Sequence, residues 1–204
     1  KQLQYKIMLQ SNGRAFAKES FAKHLDNYRG LINFCIALHG PNAEIHDHIT
    51  QRPGSYVETI QGLQNIHKMN FNFGGKIVIS RQNFQVLPSI AEKFASLHAF
   101  SVDIAFPHAQ GRASKMWEQV VPRYKEISEQ VRKSAQYLLD QNINVRLETF
   151  PFCTVPGYEN LVSEIFQQTQ AYAEINQYGS DYGASNWSEL RPQIKEKFAP
   201  CLSC

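Results

Sequence analysis

The sequence predicts an α/β fold, a parallel sheet whose strands are joined by crossover helices, either open or part of a barrel. Apolar runs of strand length alternate along the chain with amphipathic runs of helical length. Short polar or glycine-bearing tracts close the strand-like runs: Ser11-Asn12-Gly13, Leu38-His39-Gly40 with His46-Asp47-His48-Ile49-Thr50, and Phe106-Pro107. In a parallel sheet such tracts meet at the carboxyl ends of the strands, where these folds keep their chemistry.

Leu3 to Leu9 reads as the first strand and Ser11-Asn12-Gly13 as a turn. Lys18 to Tyr28 follows as a helix, with Phe21, Leu25 and Tyr28 at helical spacing. Asn33 to Leu38 (NFCIAL) is nearly all apolar, as a strand buried on both faces should be. A long polar loop then runs to Pro53-Gly54. Ser55 is expected to cap the next helix with Glu58 as its capping-box partner, and Val57, Ile60, Leu63 and Ile66 form one stripe. Gly74-Gly75 precedes the strand Lys76 to Ser80, and Asn83 is the expected cap of a helix carrying Val86, Ile90 and Phe94. Pro88 favours a regular start near that point. Phe100 to Phe106 is a strand halted by Pro107. Pro122 opens a helix on which Ile127, Val131, Ala135 and Leu138 line up and Glu129 faces Lys133 at i,i+4. Asn144 to Phe150 is the last of these strands, stopped by Pro151. Beyond Pro156-Gly157 the pattern changes to a short helix over Asn160 to Ala173, a loop over Tyr178 to Trp187 and a helical turn over Arg191 to Phe198.

With 204 residues, 43% of them hydrophobic, the chain can bury one sizeable core. A net charge of +3, spread among both signs, gives no footprint for nucleic acid or an anionic membrane. No apolar run approaches the length of a membrane span, so the expected compartment is the cytoplasm. The cysteines are Cys35, Cys153, Cys201 and Cys204, the last two forming a C-x-x-C at the final residue. That half motif and the start at Lys1 lead us to expect a piece of a longer protein.

Five of these tracts, in order, resemble the radical S-adenosylmethionine (radical SAM) family from its third strand onward. Ser11-Asn12-Gly13 resembles the family's T-N-G turn. Phe34 to Gly40 with His46-Asp47 and Ile49-Thr50 resembles I-S-L-H-G…H-D-x-I-T. Gly54-Ser55-Tyr56 sits where a G-S-F helix start is usual, and Ile77 to Asn83 with Leu87 and Ile90 resembles the fifth strand and its N-x-x-x-L-x-x-I helix. Val102 to Ala113 resembles the sixth strand and its F-P-x-x-x-G-x-A loop. The likeness covers residues 3 to 153, leaving 154–204 as a C-terminal extension.

The resemblance narrows the fold to a partial (β/α) barrel of the radical SAM type with the first two β/α units absent. It implies an enzyme that, when intact, reductively cleaves SAM at a four-iron four-sulfur cluster to start radical chemistry on a small-molecule or peptide substrate. The family's C-x-x-x-C-x-x-C loop and G-G-E turn would lie before Lys1, so this piece alone is expected to be inactive. The resemblance places Asn12, Ala37, His39, Arg81, Ile104 and Phe106 around the cofactor, with Ile104 or Phe106 against adenine. Ala37 stands where relatives carry a Ser. Arg146 and Glu148 are the residues expected to face the substrate. Cys153, Cys201 and Cys204 would hold an auxiliary iron–sulfur cluster or zinc in the intact protein. Without two preceding strands, Gln2 to Leu9 would be an exposed apolar edge, which predicts self-association.

Blander readings stand beside these. Among the tract's histidines, His46 reads as pinning its loop rather than binding metal, and Asp47 and Thr50 as turn and cap residues. Cys35 reads as a small buried hydrophobe, and Arg146 with Glu148 as a surface ion pair. A different barrel enzyme, binding a phosphate or metal at the same face, would need a glycine-rich phosphate loop. Gly74-Gly75 is the one candidate, at the wrong end of its strand. A non-catalytic module holding zinc through the C-x-x-C tail is the remaining alternative.

Overall fold

The computed structural model describes residues 6–109, 111–165, 172–174 and 183–185. The chain divides into two compact units, Lys1–Val162 and Ser163–Cys204.

The first unit is built on five parallel strands in the order in which they occur: β1 (Ile7–Ser11), β2 (Ile32–Ala37), β3 (Phe73–Val78), β4 (Ser101–Ala105) and β5 (Asn144–Glu148). Between them lie α1 (Glu19–Lys23), α2 (Ala43–Thr50), α3 (Ser55–Lys68), α4 (Leu87–Ser96), α5 (Gly111–Lys115), α6 (Trp117–Val120) and α7 (Tyr124–Asp140). Sequential order with crossovers of one hand brings the helices to one face of the sheet. Side-chain alternation agrees. Phe34, Ile36, Ile77, Val102, Ile104, Val145 and Leu147 share one core with Leu63, Ile66, Ile90, Phe94, Ile127, Val131, Ala135 and Leu138 of α3, α4 and α7. The intervening residues, among them Cys35, Ala37, Lys76, Asp103, Arg146 and Glu148, point to the opposite, inner face. The chain therefore has the α/β, partial-barrel architecture that the sequence predicts.

Several local expectations are corrected. The stretch read as a loop before Pro53 contains α2, whose Asn42 accepts the Ile45 N–H at 3.1 Å as an N-cap. The expected Lys18–Tyr28 helix is only α1 followed by a 3-10 turn at Asp26–Tyr28. Ser55 begins α3 but does not cap it, and Glu58 turns away to Arg14 (2.5 Å). Val57 is exposed; the buried stripe of α3 runs through Ser55, Thr59, Gly62, Leu63, Asn65 and Ile66. Gly74-Gly75 lies inside β3 because a side chain has no room there. A Cβ on Gly75 would meet the Phe94 ring at 2.6 Å, and one on Gly74 the Ser101 Oγ at 2.5 Å. Pro88 sits in the first turn of α4, where its missing N–H costs nothing.

At the end of the first unit, a 3-10 turn at Phe152–Thr154 packs on α7, one at Glu159–Leu161 packs on β5, and Val162 makes a parallel bridge to Leu147. In the second unit, the expected Asn160–Ala173 helix is not formed over the described residues. Ser163–Ile165 is a 3-10 turn, and β6 (Tyr172–Glu174) pairs antiparallel with β7 (Gly183–Ser185), which falls within the expected loop. The helical turn read over Arg191–Phe198 lies outside the described residues.

Two predictions follow from this packing. Gly62 rides on the β1 loop: a Cβ there would sit 2.2 Å from the Gly13 carbonyl oxygen. Gly62→Ala is expected to destabilise the first unit by about 2 kcal/mol or more in chemical denaturation, and a loss below about 0.5 kcal/mol would contradict the close approach. At the sheet edge, Ile7, Met8 and Leu9 are exposed, and β1 has β2 as its one strand partner among the described residues. We propose that two copies of this chain pair through β1. Sedimentation should show dimers that Met8→Lys disperses, whereas a wild-type monomer would refute the pairing.

Candidate functional site

Because the strands are parallel, the segments after β1 to β5 open on one rim. After β1, the Ser11 hydroxyl accepts from the Gly13 N–H (3.1 Å) and the Asn12 side chain from the Arg14 N–H (3.2 Å). Gly13 adopts φ 76°, a left-handed conformation that favours glycine. Helix α3 fastens this loop from behind. Thr59 donates its hydroxyl to the Asn12 carbonyl (3.1 Å), and Asn65 its amide to the Phe16 and Ala17 carbonyls (2.8 and 3.1 Å). Asn12 itself is exposed on the rim.

After β2, the chain passes through Leu38-His39-Gly40 into α2. His46 is buried, and its Nδ1 accepts the His39 backbone N–H at 3.1 Å, so it pins the loop as its bland reading holds. Burial, with the His39 ring 5.6 Å away between centroids, pushes the His46 pKa down to about 4. Burial likewise lowers the His39 pKa, so at neutral pH both rings are uncharged. Asp47 is the cap that Ser55 was expected to be: it accepts from the Gly54 N–H (2.6 Å), the Ser55 hydroxyl (2.8 Å) and the Tyr56 N–H (2.7 Å). Burial alone would raise its pKa, but these donors at the start of α3 hold it below the usual carboxylate value. Thr50 completes the knot through the Ser55 hydroxyl at 2.7 Å.

The loop after β3 is joined to this one by Asn83. Its side chain is buried and, rather than capping a helix, accepts from the Ser80 N–H (2.7 Å) and donates to the carbonyls of His39 (3.1 Å) and Val78 (3.0 Å). One amide therefore ties two strand ends together. Arg81 leans the other way, donating to the Glu118 carbonyl (2.8 Å) and to Glu126 (3.3 Å). Ile104 and Phe106 turn into the helix layer. Ile104 is fully buried, and the Phe106 ring stacks on Tyr124 with centroids 4.1 Å apart. Both side chains therefore pack within the helix layer, Phe106 between Trp117, Tyr124 and Phe150.

The inner face carries charges that the sequence reading only half anticipated. Arg146 and Glu148 do not pair with each other. Arg146 takes both oxygens of Asp103, Nε to Oδ1 at 2.7 Å and Nη2 to Oδ2 at 2.6 Å, while Glu148 pairs with Lys76. The register explains this: Ala37, Lys76, Asp103 and Arg146 lie in one row across β2 to β5, and Glu148 sits one row nearer the rim, opposite Ala105. The Asp103 side chain is only 5% exposed, against 44% for Arg146. The hydrogen bonds to Asp103 raise the Arg146 pKa, keeping it cationic. Cys35 lies one row below, and burial, reinforced by the Asp103 charge, pushes its thiol pKa up. Lys76, Asp103 and Asn83 are the site residues that sequence reasoning missed. A signal did exist for two of them, since Lys76 and Asp103 interrupt apolar strands on the same period-two face as Arg146 and Glu148.

Among the described residues no group of three or more His, Cys, Asp or Glu side chains is placed to hold a metal. Cys153 is exposed with a free thiol beyond β5, and Cys201 and Cys204 lie outside the described residues. Among the described residues, no helix is long and apolar enough to cross a membrane.

Polar loops on the carboxyl rim of a singly wound parallel sheet, above a charged inner face, are the arrangement on which (β/α)-barrel proteins build their sites. No family model matches the chain. Two curated proteins do resemble it, both named AdoMet-dependent heme synthase. The one from Methanosarcina barkeri is 25% identical over 122 residues, 60% of this chain and 34% of that protein. The one from Oleidesulfovibrio alaskensis is 25% identical over 100 residues, 48% and 26% of the two chains. The chain thus spans about a third or less of the curated relatives it matches. Solved structures of native anSMEcpe with bound AdoMet, with and without the Cp18Cys peptide, share the fold. Each has a TM-score of 0.55 at 15% identity over 71% of this chain, and 42% and 41% of the neighbours respectively. The chain is related to the radical SAM superfamily of enzymes.

The pH dependence of His46 is testable. Its pKa is 6.5 ordinarily and about 4 in the fold, so in between the unfolded chain binds the extra proton. Its contribution is complete above about pH 6.5 and is lost as the pH falls toward 4, about 3 kcal/mol in all. Denaturant unfolding across that window should show this slope. His46→Gln, which keeps a side-chain acceptor, should flatten it; an unchanged slope would refute the assignment.

Proposed function

We propose that this chain supplies the later strands of a radical SAM catalytic domain, with SAM held on the rim and the substrate against the inner face. The observation that carries the reading is the convergence of the Asn12, His39 and Arg81 loops at one end of the sheet, two of them locked together by Asn83. The rim suits such a cofactor. It offers the backbone of Asn12-Gly13, His39-Gly40 and Ala105-Phe106, and the Ala37 side chain on the inner face is small. When bound beside a reduced four-iron cluster, SAM supplies a 5′-deoxyadenosyl radical for hydrogen abstraction. The described residues do not suit the cluster itself: Cys35 is buried under the ion pairs and Cys153 stands exposed beyond β5. Cleavage is therefore proposed for the protein in which these residues are joined to a three-cysteine loop.

This chain's own residues orient and exclude. The uncharged His39 and His46 keep the β2 loop closed without presenting a cation to the SAM sulfonium. Asn83 holds the β2 and β3 ends at fixed separation, and the two ion pairs give the inner face a fixed, net-neutral charge pattern.

The full-length protein, with its cluster reconstituted and reduced, should convert SAM to 5′-deoxyadenosine. Asn83→Ala should weaken SAM binding about tenfold, equivalent to about 1.4 kcal/mol, by freeing the two carbonyls that Asn83 ties. Absence of 5′-deoxyadenosine from the reconstituted protein would overturn the reading.

A further inference from the structure

The arrangement around Arg146 identifies what kind of group the inner face receives. Asp103 engages the guanidinium from its Nε/Nη2 side, at 2.7 and 2.6 Å. This leaves the Nη1/Nη2 end of the fork, with three N–H donors, without a partner among the described residues. The Asp103 carboxylate is almost wholly buried and has both oxygens on Arg146, so it fixes the plane of a guanidinium that is itself 44% exposed. A pair serving stability alone gains little from burying the acid and exposing the base. Lys76, one strand beyond Asp103 in the same row, is matched by Glu148 toward the rim, which leaves the Arg146 fork as the donor that faces outward. A planar, oriented, end-on guanidinium fork is the donor geometry for a carboxylate.

We propose that the inner face binds a carboxylate-bearing substrate through the end of the Arg146 fork. This rests on the assignment of the inner face to substrate. The carboxylate has two possible sources, the substrate or the methionyl end of SAM. The first is favoured because Arg146 lies below the rim, one row deeper on the inner face than Glu148, which is level with Ala105.

The experiment is arginine modification by phenylglyoxal on the full-length protein, read residue by residue by peptide mass spectrometry. Succinate is the probe, succinamide its uncharged control, and the exposed Arg123 the internal reference. At a succinate concentration roughly ten times its Kd, Arg146 should react about tenfold more slowly. Succinamide should not protect it, and Arg123 should be unaffected. Equal rates with and without succinate, or equal protection by succinamide, would overturn the proposal. Protection by S-adenosylhomocysteine instead of succinate would assign the fork to the cofactor and overturn it as well. SAM cleavage is measured separately on the same protein. A preparation that forms no 5′-deoxyadenosine yet shows succinate protection would sink the radical reading while leaving carboxylate recognition standing.

Discussion

Parallel pairing in strict sequence order constrains everything else in the first unit. Each strand must return to the same end before it can pair, and crossovers of one hand bring their helices to one side. The sheet therefore has two unlike faces. One is sealed by α3, α4 and α7 over an apolar core in which Ile36, Leu63, Ile77, Ile104 and Leu147 are fully buried. Among the described residues the other carries no helix layer, and the charged residues of the strands collect there. The rim inherits its loops from the same rule, because every strand leaves the sheet in the same direction.

The inner face can hold charge only because the charges are matched. Asp103 stands on the central part of the sheet with almost no access to water, a position that would be severely destabilising for a lone carboxylate. Its bidentate pairing with Arg146 offsets that cost, and the register makes the pairing possible by placing the two residues directly opposite on β4 and β5. Lys76 and Glu148 join β3 to β5 across the strand between them. These contacts brace three strands while leaving the face chemically specific, with its one half-exposed guanidinium held in a set orientation. The rim is organised differently, by neutral hydrogen bonds to backbone. Asn83, His46 and Thr59 each satisfy loop groups that have no ladder partner, and their loss would free the loops rather than unbalance a charge.

How much of this was legible differs from element to element. α7 was plain, since its apolar spacing and i,i+4 pair need no outside help, and its buried residues match the stripe read from sequence. α2 was not, because eight residues with two histidines and an aspartate carry a weak periodic signal, and the partners of Asp47 lie at the start of the next helix. Val57 was assigned to the core by spacing alone. The stripe that α3 buries is turned instead toward Thr59, Gly62 and Asn65, which fasten the β1 loop. The Gly74-Gly75 pair read as punctuation but is a concession to the Phe94 ring packed on the strand.

The sequence by itself determined the alternation of strands and helices, the positions of the polar tracts that end the strands, and the resemblance that links them to SAM enzymes. Those are local properties: period, turn chemistry and the order of motifs. Which charges meet was decided only by tertiary structure. Asp103 finds Arg146, and Lys76 finds Glu148, through a strand register set by the crossovers between them, and no spacing along the chain records that register.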